Sequence, residues 1–349
     1  MSQPSSADAT VEAIRFDNNT LQLLDQRILP HDVSYIEYCD GFKVADAIQT
    51  MVVRGAPAIG IAAAYGIALE SLKQRDQNQL TLEPVMEALA QSRPTAVNLF
   101  WAIDQMQLEW QRVQHLPVDE QSSSLINKAI TIHQEDIAAN QTMGQLGASL
   151  IEGPAHVYTH CNAGALATGG HGTALGVIRS AHVLNKIQHV YAGETRPWLQ
   201  GARLTAWELM EENIPVSLCS EGAAGQLLRQ GHIQWIIVGA DRIAANGDVA
   251  NKVGTYNLAV LAKHHGVKVM VVAPTSTFDL QTAQGIDIPI EDRAIEEVTS
   301  IQGRPIAPKG CHAINPSFDM TPHDLIDAIV CEKGILTAPF KHNIKTLLA

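Results

Sequence analysis

The stretch IQWIIVGADRIAANG, residues 233–247, decides how this chain folds. Its first six residues, Ile233–Val238, are apolar on both faces and break abruptly at Gly239 and the polar pair Asp241 and Arg242. A short run that is apolar on both sides is what a strand sandwiched between helices needs. VKVMVVA at 267–273 has the same texture. Outward from these two, strand-like runs at 155–160, 187–192 and 215–219 alternate with helical patterns at 172–184, 201–212, 221–230 and 254–265. Regular β-α-β alternation predicts an α/β domain over 146–349, built on a doubly wound parallel sheet with right-handed crossovers. A further helix is expected near 322–332, and 337–349 carry no clear signal.

The region before this domain reads differently. Short strand-like runs at Ala13–Phe16 and Thr20–Leu24 precede helical patterns at 43–52, 57–73, 82–91, 95–115 and 120–150, separated by Pro, Gly or polar breaks. A smaller, mostly helical domain with a small sheet is therefore expected over 1–145, with residues 1–10 as a disordered tail. The longest apolar stretch, Ala58–Leu69, is too short for a bilayer and reads as a buried helix.

Composition narrows the function classes. The 349 residues are 46% hydrophobic and 17% charged, with a net charge of −12. Such a surface repels phosphate polymers, which argues against nucleic-acid binding and leaves room for a local basic pocket. The first residues show neither a basic region nor an apolar core of a secretory signal. Five cysteines at 39, 161, 219, 311 and 331 contain no CxxC pair, so free thiols in a reducing cytoplasm are expected.

In an open α/β sheet, ligands bind beyond the carboxyl ends of the strands. Cys161-Asn162-Ala163-Gly164 follows the first predicted strand, and a glycine-rich run over 168–176 follows that. The second strand end carries Glu194 to Gly201, including Gln200; the one at 238 leads to Asp241, Asn251 and Lys252. A lone cysteine in such a protein is most often core. Cys161, however, stands at a polar junction after His160, where an imidazole or a helix N-terminus favours the thiolate. Cys219, Cys39, Cys311 and Cys331 read as structural. Asp241 reads equally as a turn cap and as a functional carboxylate, whereas Asp248 in its Asn-Gly-Asp turn reads as structural. The run at 169–176 fails the dinucleotide spacing because Leu175 stands where the last glycine belongs, so a nicotinamide dehydrogenase is disfavoured. There is no Walker A or HExxH sequence, and the fourteen histidines lack ligand spacing, so no metal site is expected.

Two elements of the first domain suit phosphate. Arg54-Gly55-Ala56-Pro57 opens a helix with a fork-shaped donor, a glycine and a first-turn proline, and Ser92-Arg93-Pro94-Thr95 precedes another. Taken alone, Arg54 reads equally as a surface arginine, and Arg93 reads as one.

The strings RGAPAIG at 54–60, THCNAGALATGGHGTALG at 159–176, ETRPWLQGARLTAWEL at 194–209 and VGADRIAANGDVANKVGTYNLA at 238–259 are more specific together. They closely resemble the methylthioribose-1-phosphate isomerase family of methionine salvage, over about residues 10 to 340. That family is grouped with regulatory subunits of initiation factor 2B and with ribose-1,5-bisphosphate isomerases. The resemblance implies a Rossmann-like C-terminal domain, a homodimer, and conversion of 5-methylthioribose 1-phosphate to 5-methylthioribulose 1-phosphate without metal or cofactor. It implies that Asp241 is the proton donor and that Cys161 is a proton shuttle or transition-state stabiliser. It places substrate contacts on Arg54, Gly55, Ala56, Arg93, Gln200, Asn251 and Lys252, in a cleft between the domains. Trp198 and Tyr256 are candidate linings for a methylthio group, and read more readily as packing. A bisphosphate isomerase and a non-catalytic regulatory subunit are the rival readings; the second has no need of both Cys161 and Asp241.

Overall fold

The computed structural model describes residues 11–77, 79–94 and 96–348, so the expected tail over 1–10 and Thr95 lie outside the described residues. The chain divides into two compact units. The first runs to Gln141 and takes in Ala163–Gly172; the second comprises Thr142–Asn162 and the chain from Thr173 onward. The expected single boundary at 145/146 is thus corrected: the glycine-rich segment after Cys161 packs with the first unit. Local texture gave no sign of this, because the segment is held by partners distant in sequence: Gln26 donates to the carbonyl of Leu166, and Asp136 accepts from the N–H of Gly169.

The first unit opens with an antiparallel meander of β1 (Ile14–Asp17), β2 (Thr20–Leu24) and β3 (Tyr35–Tyr38). Asn18 and Asn19, at φ 48° and 59°, close the two-residue hairpin between β1 and β2, the conformation that right-twisted strands demand. Then follow α1 (Gly41–Gln49), α2 (Ala56–Lys73), α3 (Glu83–Ser92), α4 (Val97–Val113) and α5 (Val118–Ser149), the last continuing into the second unit. Asp40 caps α1 by accepting from the backbone of Phe42 and Lys43. Nearly every side chain of α2 from Ala58 to Ser71 is buried, as expected of a helix that is apolar all round. It packs against α1, α3 and α4.

The second unit is built on a seven-stranded sheet. Its strands are β4 (Ala155–Thr159), β5 (Ile187–Gly193), β6 (Val216–Cys219), β7 (Ile233–Val238), β10 (Lys268–Val272), β15 (Ala328–Cys331) and β16 (Gly334–Leu336). They lie in the order β6-β5-β4-β7-β10-β15-β16, and all pairings are parallel except that of β16 with β15. Counted from β4, the six parallel strands follow the Rossmann order 3-2-1-4-5-6, whose direction of winding reverses between β4 and β7. Helices α6 (Ala174–Val183), α7 (Ala206–Glu211) and α8 (Ala224–Arg229) lie between successive strands. Helix α9 (Thr255–His265) precedes β10 and ends on Gly266 at φ 70°, the left-handed position a helix terminus favours.

Three features depart from expectation. The segment near 322–332 is not a continuous helix: a single 3-10 turn, His323–Leu325, leads into strand β15, because Ala328–Cys331 is buried throughout and pairs with β10. Residues 340–348 form α11 (Phe340–Leu348), which buries Phe340 and Ile344 and exposes polar residues between. A second sheet, of order β11-β8-β9-β14, follows β7. It consists of β8 (Arg242–Ala244), β9 (Val249–Lys252), β11 (Phe278–Asp279) and β14 (Phe318–Thr321). Strands of two to four residues carry too little periodicity to be read in advance. A short helix, α10 (Glu296–Thr299), and the hairpin β12 (Ser300–Ile301) to β13 (Arg304–Pro305) complete the described elements. Among the described residues, no helix is long and apolar enough to cross a membrane.

Candidate active site

In the second unit, five of the expected residues converge on the carboxyl ends of the central strands. Strands β4 and β7 pair in parallel up to Thr159 and Ile237. Cys161 leaves one of these neighbours and Asp241 the other, at the point where the winding reverses. Gln200 follows β5, which pairs with the opposite side of β4. The backbone N–H of Asp241 donates to the carbonyl of Ala250 at 2.9 Å, so Asp241 begins the β8–β9 hairpin that carries Asn251 and Lys252. His160 ties this hairpin back to β4, its Nε2 lying 2.9 Å from the carbonyl of Val253.

The backbone at Cys161 is unusual. Its φ of 61° lies in the left-handed region, which costs a non-glycine residue about 1–3 kcal/mol and persists only where surroundings enforce it. Thr195 Oγ1 accepts its N–H at 2.9 Å, and Thr205 Oγ1 donates to its carbonyl at 2.5 Å. Thr195 is itself left-handed, at φ 63°, fully buried, and donates to the carbonyl of Gly193 at 3.0 Å. Thr205 ends a wide turn, Gly201–Thr205, in which the N–H of Ala206 reaches back to the carbonyl of Gly201. Such wide turns recur at functional sites. Gly201 is obligatory there: a Cβ at this position would lie 1.6 Å from the carbonyl oxygen of Gly193.

The electrostatics correct one expectation. His160 is buried, and desolvation pulls its pKa down to about 4, against a smaller upward pull from its bond to Val253. It is neutral near pH 7, with Nε2 carrying the proton that Val253 accepts, so it provides no positive charge to favour a thiolate at Cys161. Gln200 is buried and its Oε1 has no hydrogen-bond partner among the described residues. An unpaired buried amide oxygen is costly, and it is a ready acceptor for a ligand hydroxyl. Asn251 is buried and donates to Thr255 Oγ1 at 3.0 Å, and the Lys252 ammonium sits 4.9 Å over the Phe318 ring.

Sequence reading missed Asp319. It lies across from Asn251 in the β14–β9 pair and accepts from the N–H groups of Gly254 at 2.6 Å and Tyr256 at 3.0 Å, capping α9. Burial raises its pKa to about 6, outweighing those hydrogen bonds and the neighbouring Lys252. Its signal was faint, a single Asp far along the chain from the helix it caps. Asp248 is structural: it accepts from Asn246, the N–H of Gly285 and His323. Trp198 is engaged by Arg203, whose guanidinium lies 5.2 Å from its ring. Tyr256 is exposed. Cys331 is buried in β15, while Cys219 donates to the carbonyl of Ala192 at 3.4 Å and burial pushes its pKa up. Cys39 and Cys311 are exposed.

The first unit holds Arg54, Gly55, Ala56 and Arg93. Arg54 is buried, not a surface residue, and its Nε donates to Gln26 Oε1 at 3.2 Å. Gln26 in turn donates to the carbonyl of Leu166 at 2.7 Å. Gly55 is the N-cap of α2 at φ 96°, and a Cβ there would lie 2.5 Å from the Cα of Ala167. Ala56 is the first residue of α2, an eighteen-residue helix whose N-terminal N–H groups favour an anion. Arg93 is half-buried at the C-terminus of α3. Among the described residues, no group of three His, Cys, Asp or Glu is placed to hold a metal ion.

The family model described as the initiation factor 2 subunit family matches residues 52–338. Methylthioribose-1-phosphate isomerase from Alcanivorax borkumensis is 54% identical over 338 residues, covering 97% of each chain. Among solved structures, 5-methylthioribose 1-phosphate isomerase from Pyrococcus horikoshii OT3 superposes with a TM-score of 0.92 at 40% identity, over 99% of this chain and 98% of that one. The crystal structure of translation initiation factor eIF-2B, subunit delta, from A. fulgidus superposes with a TM-score of 0.85 at 40% identity, over 97% of this chain and 99% of that one.

Proposed function

The chain belongs to the initiation factor 2 subunit family, and we propose that within it this protein isomerises 5-methylthio-α-D-ribose 1-phosphate to 5-methylthio-D-ribulose 1-phosphate, a step of methionine salvage. The observation that carries this reading is the placement of a thiol and a carboxylate, Cys161 and Asp241, at the ends of two paired central strands where the sheet reverses its winding. Full-length identity to proteins named for this activity supports it.

The phosphate on the anomeric oxygen locks the sugar ring, so enolisation waits for ring opening. In this reading Asp241 gives a proton to the ring oxygen, and Cys161 assists the transfer of hydrogen from C2 to C1. No atom is gained or lost overall. Arg54 and the N–H groups of Gly55 and Ala56 at the α2 terminus, with Arg93 and Lys252, are assigned to the phosphate. Gln200 and Asn251 are assigned to the ribose hydroxyls; the unpartnered Oε1 of Gln200 supports its share. The reaction is assigned to a cytoplasmic homodimer. The five free cysteines suit a reducing compartment, and light scattering at twice the 37.7 kDa chain mass tests the dimer.

Phosphorus NMR of the protein with 5-methylthioribose 1-phosphate, beside ribose 1,5-bisphosphate, tests the activity. Conversion of the first substrate alone is expected, and Cys161→Ser and Asp241→Asn, each folded, are expected to lose at least about 10²-fold in turnover. Full activity in either variant overturns its assigned role. Folded wild-type protein that converts neither substrate would point to a regulatory subunit.

A further inference from the structure

Immediately after Cys161, the chain enters a buried polar network that the proposed reaction does not use. Asn162 is buried, and its Nδ2 donates to Glu208 Oε2 at 3.1 Å. Glu208, fully buried on α7, accepts at Oε1 from Arg179 Nη2 at 2.5 Å. Arg179, buried on α6, also donates through Nε to Glu212 Oε2 at 2.5 Å. Two carboxylates and one guanidinium have thus been taken out of water in the middle of a well-packed unit.

Removing charges from water is expensive, and well-packed apolar residues of similar volume often serve stability equally well. A buried triad of this kind is therefore weakly explained by stability alone. What it does supply is direction. Glu208 is clamped from one side by Arg179 and presents its second oxygen to the residue next to Cys161. Thr195 and Thr205 hold the N–H and carbonyl of Cys161 itself. A left-handed cysteine needs its neighbours fixed on both sides, or it relaxes towards an ordinary backbone conformation and its thiol swings with it.

We propose that Glu208, oriented by Arg179, is a positioning residue that acts through the Asn162 side chain to hold the Cys161 thiol in its working direction. The inference rests on the assignment of Cys161 to the chemistry. Glu208 touches no reacting atom in this scheme; its effect is transmitted through one side-chain hydrogen bond and one peptide unit.

Asn162→Ala is the first variant to make, because it cuts the link and leaves Arg179, Glu208 and Glu212 paired. Glu208→Gln is the second, keeping volume while removing the charge that Arg179 grips. Each is measured alone and combined for kcat and KM, for thermal unfolding, and for the rate at which iodoacetamide alkylates Cys161, with exposed Cys39 as the internal reference. The expected result for Asn162→Ala is a fall in kcat of about tenfold or more with KM within about threefold. The Cys161 alkylation rate should change by at least about threefold while that of Cys39 stays constant. Because Glu208 is proposed to act through Asn162, the double variant should be no worse than the poorer single variant. Unchanged kcat and alkylation in folded Asn162→Ala, or fully additive losses in the double variant, overturns the proposal. The alkylation readout does not depend on the substrate. If wild-type protein fails to turn over the sugar phosphate, the functional reading falls while the positioning of Cys161 by Glu208 is still decided.

Discussion

Replacing Gly201 by alanine strikes the joint on which the candidate site hangs. The new methyl would sit 1.6 Å from the Gly193 carbonyl oxygen, so reaching even a 3.0 Å contact requires the wide turn and the end of β5 to part by about 1.4 Å. Neither side can yield through a side chain, since the opposing atom is backbone. A parting of that size breaks the bond from the Ala202 N–H to the Glu194 carbonyl, now 3.2 Å, and pulls Thr205 from the Cys161 carbonyl, now 2.5 Å. Forced overpacking costs about 1–3 kcal/mol, and each lost hydrogen bond adds about 1 kcal/mol. A destabilisation of about 3–5 kcal/mol follows. An ångström-scale displacement of Gln200 and Cys161 is expected to lower kcat by about 10²-fold. Circular dichroism melting and phosphorus NMR turnover, on Gly201→Ala beside a Gly222→Ala control, measure both effects. An added Cβ at Gly222 meets nothing within 4 Å, so the control should resemble wild type. A Gly201→Ala protein with wild-type melting and turnover would refute the reasoning.

Half-buried Asp319 and buried His160 should pull stability in opposite directions with pH. Asp319, raised from 3.8 to about 6, stabilises the fold fully below pH 3.8, and this contribution is lost as pH rises through 6. His160, lowered from 6.5 to about 4, contributes stability above pH 6.5 that is lost as pH falls through 4. Each shift corresponds to about 3 kcal/mol at most, so these two contributions should largely offset each other between pH 4 and 6.5. Urea unfolding of Asp319→Asn should then show stability falling steeply with acid, and a flat profile in that variant would contradict the Asp319 assignment. Gly55→Ala, strained at φ 96° and crowded by Ala167, should raise KM for the sugar phosphate by about tenfold or more; an unchanged KM removes Gly55 from the phosphate site. Cys331→Ala, far along the sheet in β15, should melt earlier by about 1–2 kcal/mol of stability with kcat intact, and a loss of kcat would show Cys331 to be more than core.

Local sequence determined the backbone of the second unit. The runs Ile233–Val238 and Val267–Ala273 are apolar on both faces, and a chain that alternates such runs with helices has few foldings other than a parallel sheet covered on both sides. Once that sheet was expected, Cys161, Gln200 and Asp241 were legible as strand-end residues, and the strings around them carried the family resemblance. Periodicity also sufficed for α1 and α3 to α5, because each is long enough for its apolar face to repeat, while α2 was legible as one unbroken apolar run.

Tertiary structure alone decided the rest, and for one physical reason: these features depend on partners distant in sequence. The β8–β9–β14 sheet is made of strands too short to show a period, yet it positions Asn251 and places Asp319 across from it. Strand β15 looked helical until its pairing with β10 supplied the missing hydrogen bonds. The neutral state of His160 follows from its burial, which no neighbour in sequence announces. Local sequence left Arg54 equally open to a surface and a ligand reading; packing buries it, bonded to Gln26. Residue identity determined which groups could do chemistry; packing determined the neutral state of His160 beside them, and that a left-handed cysteine stands among them.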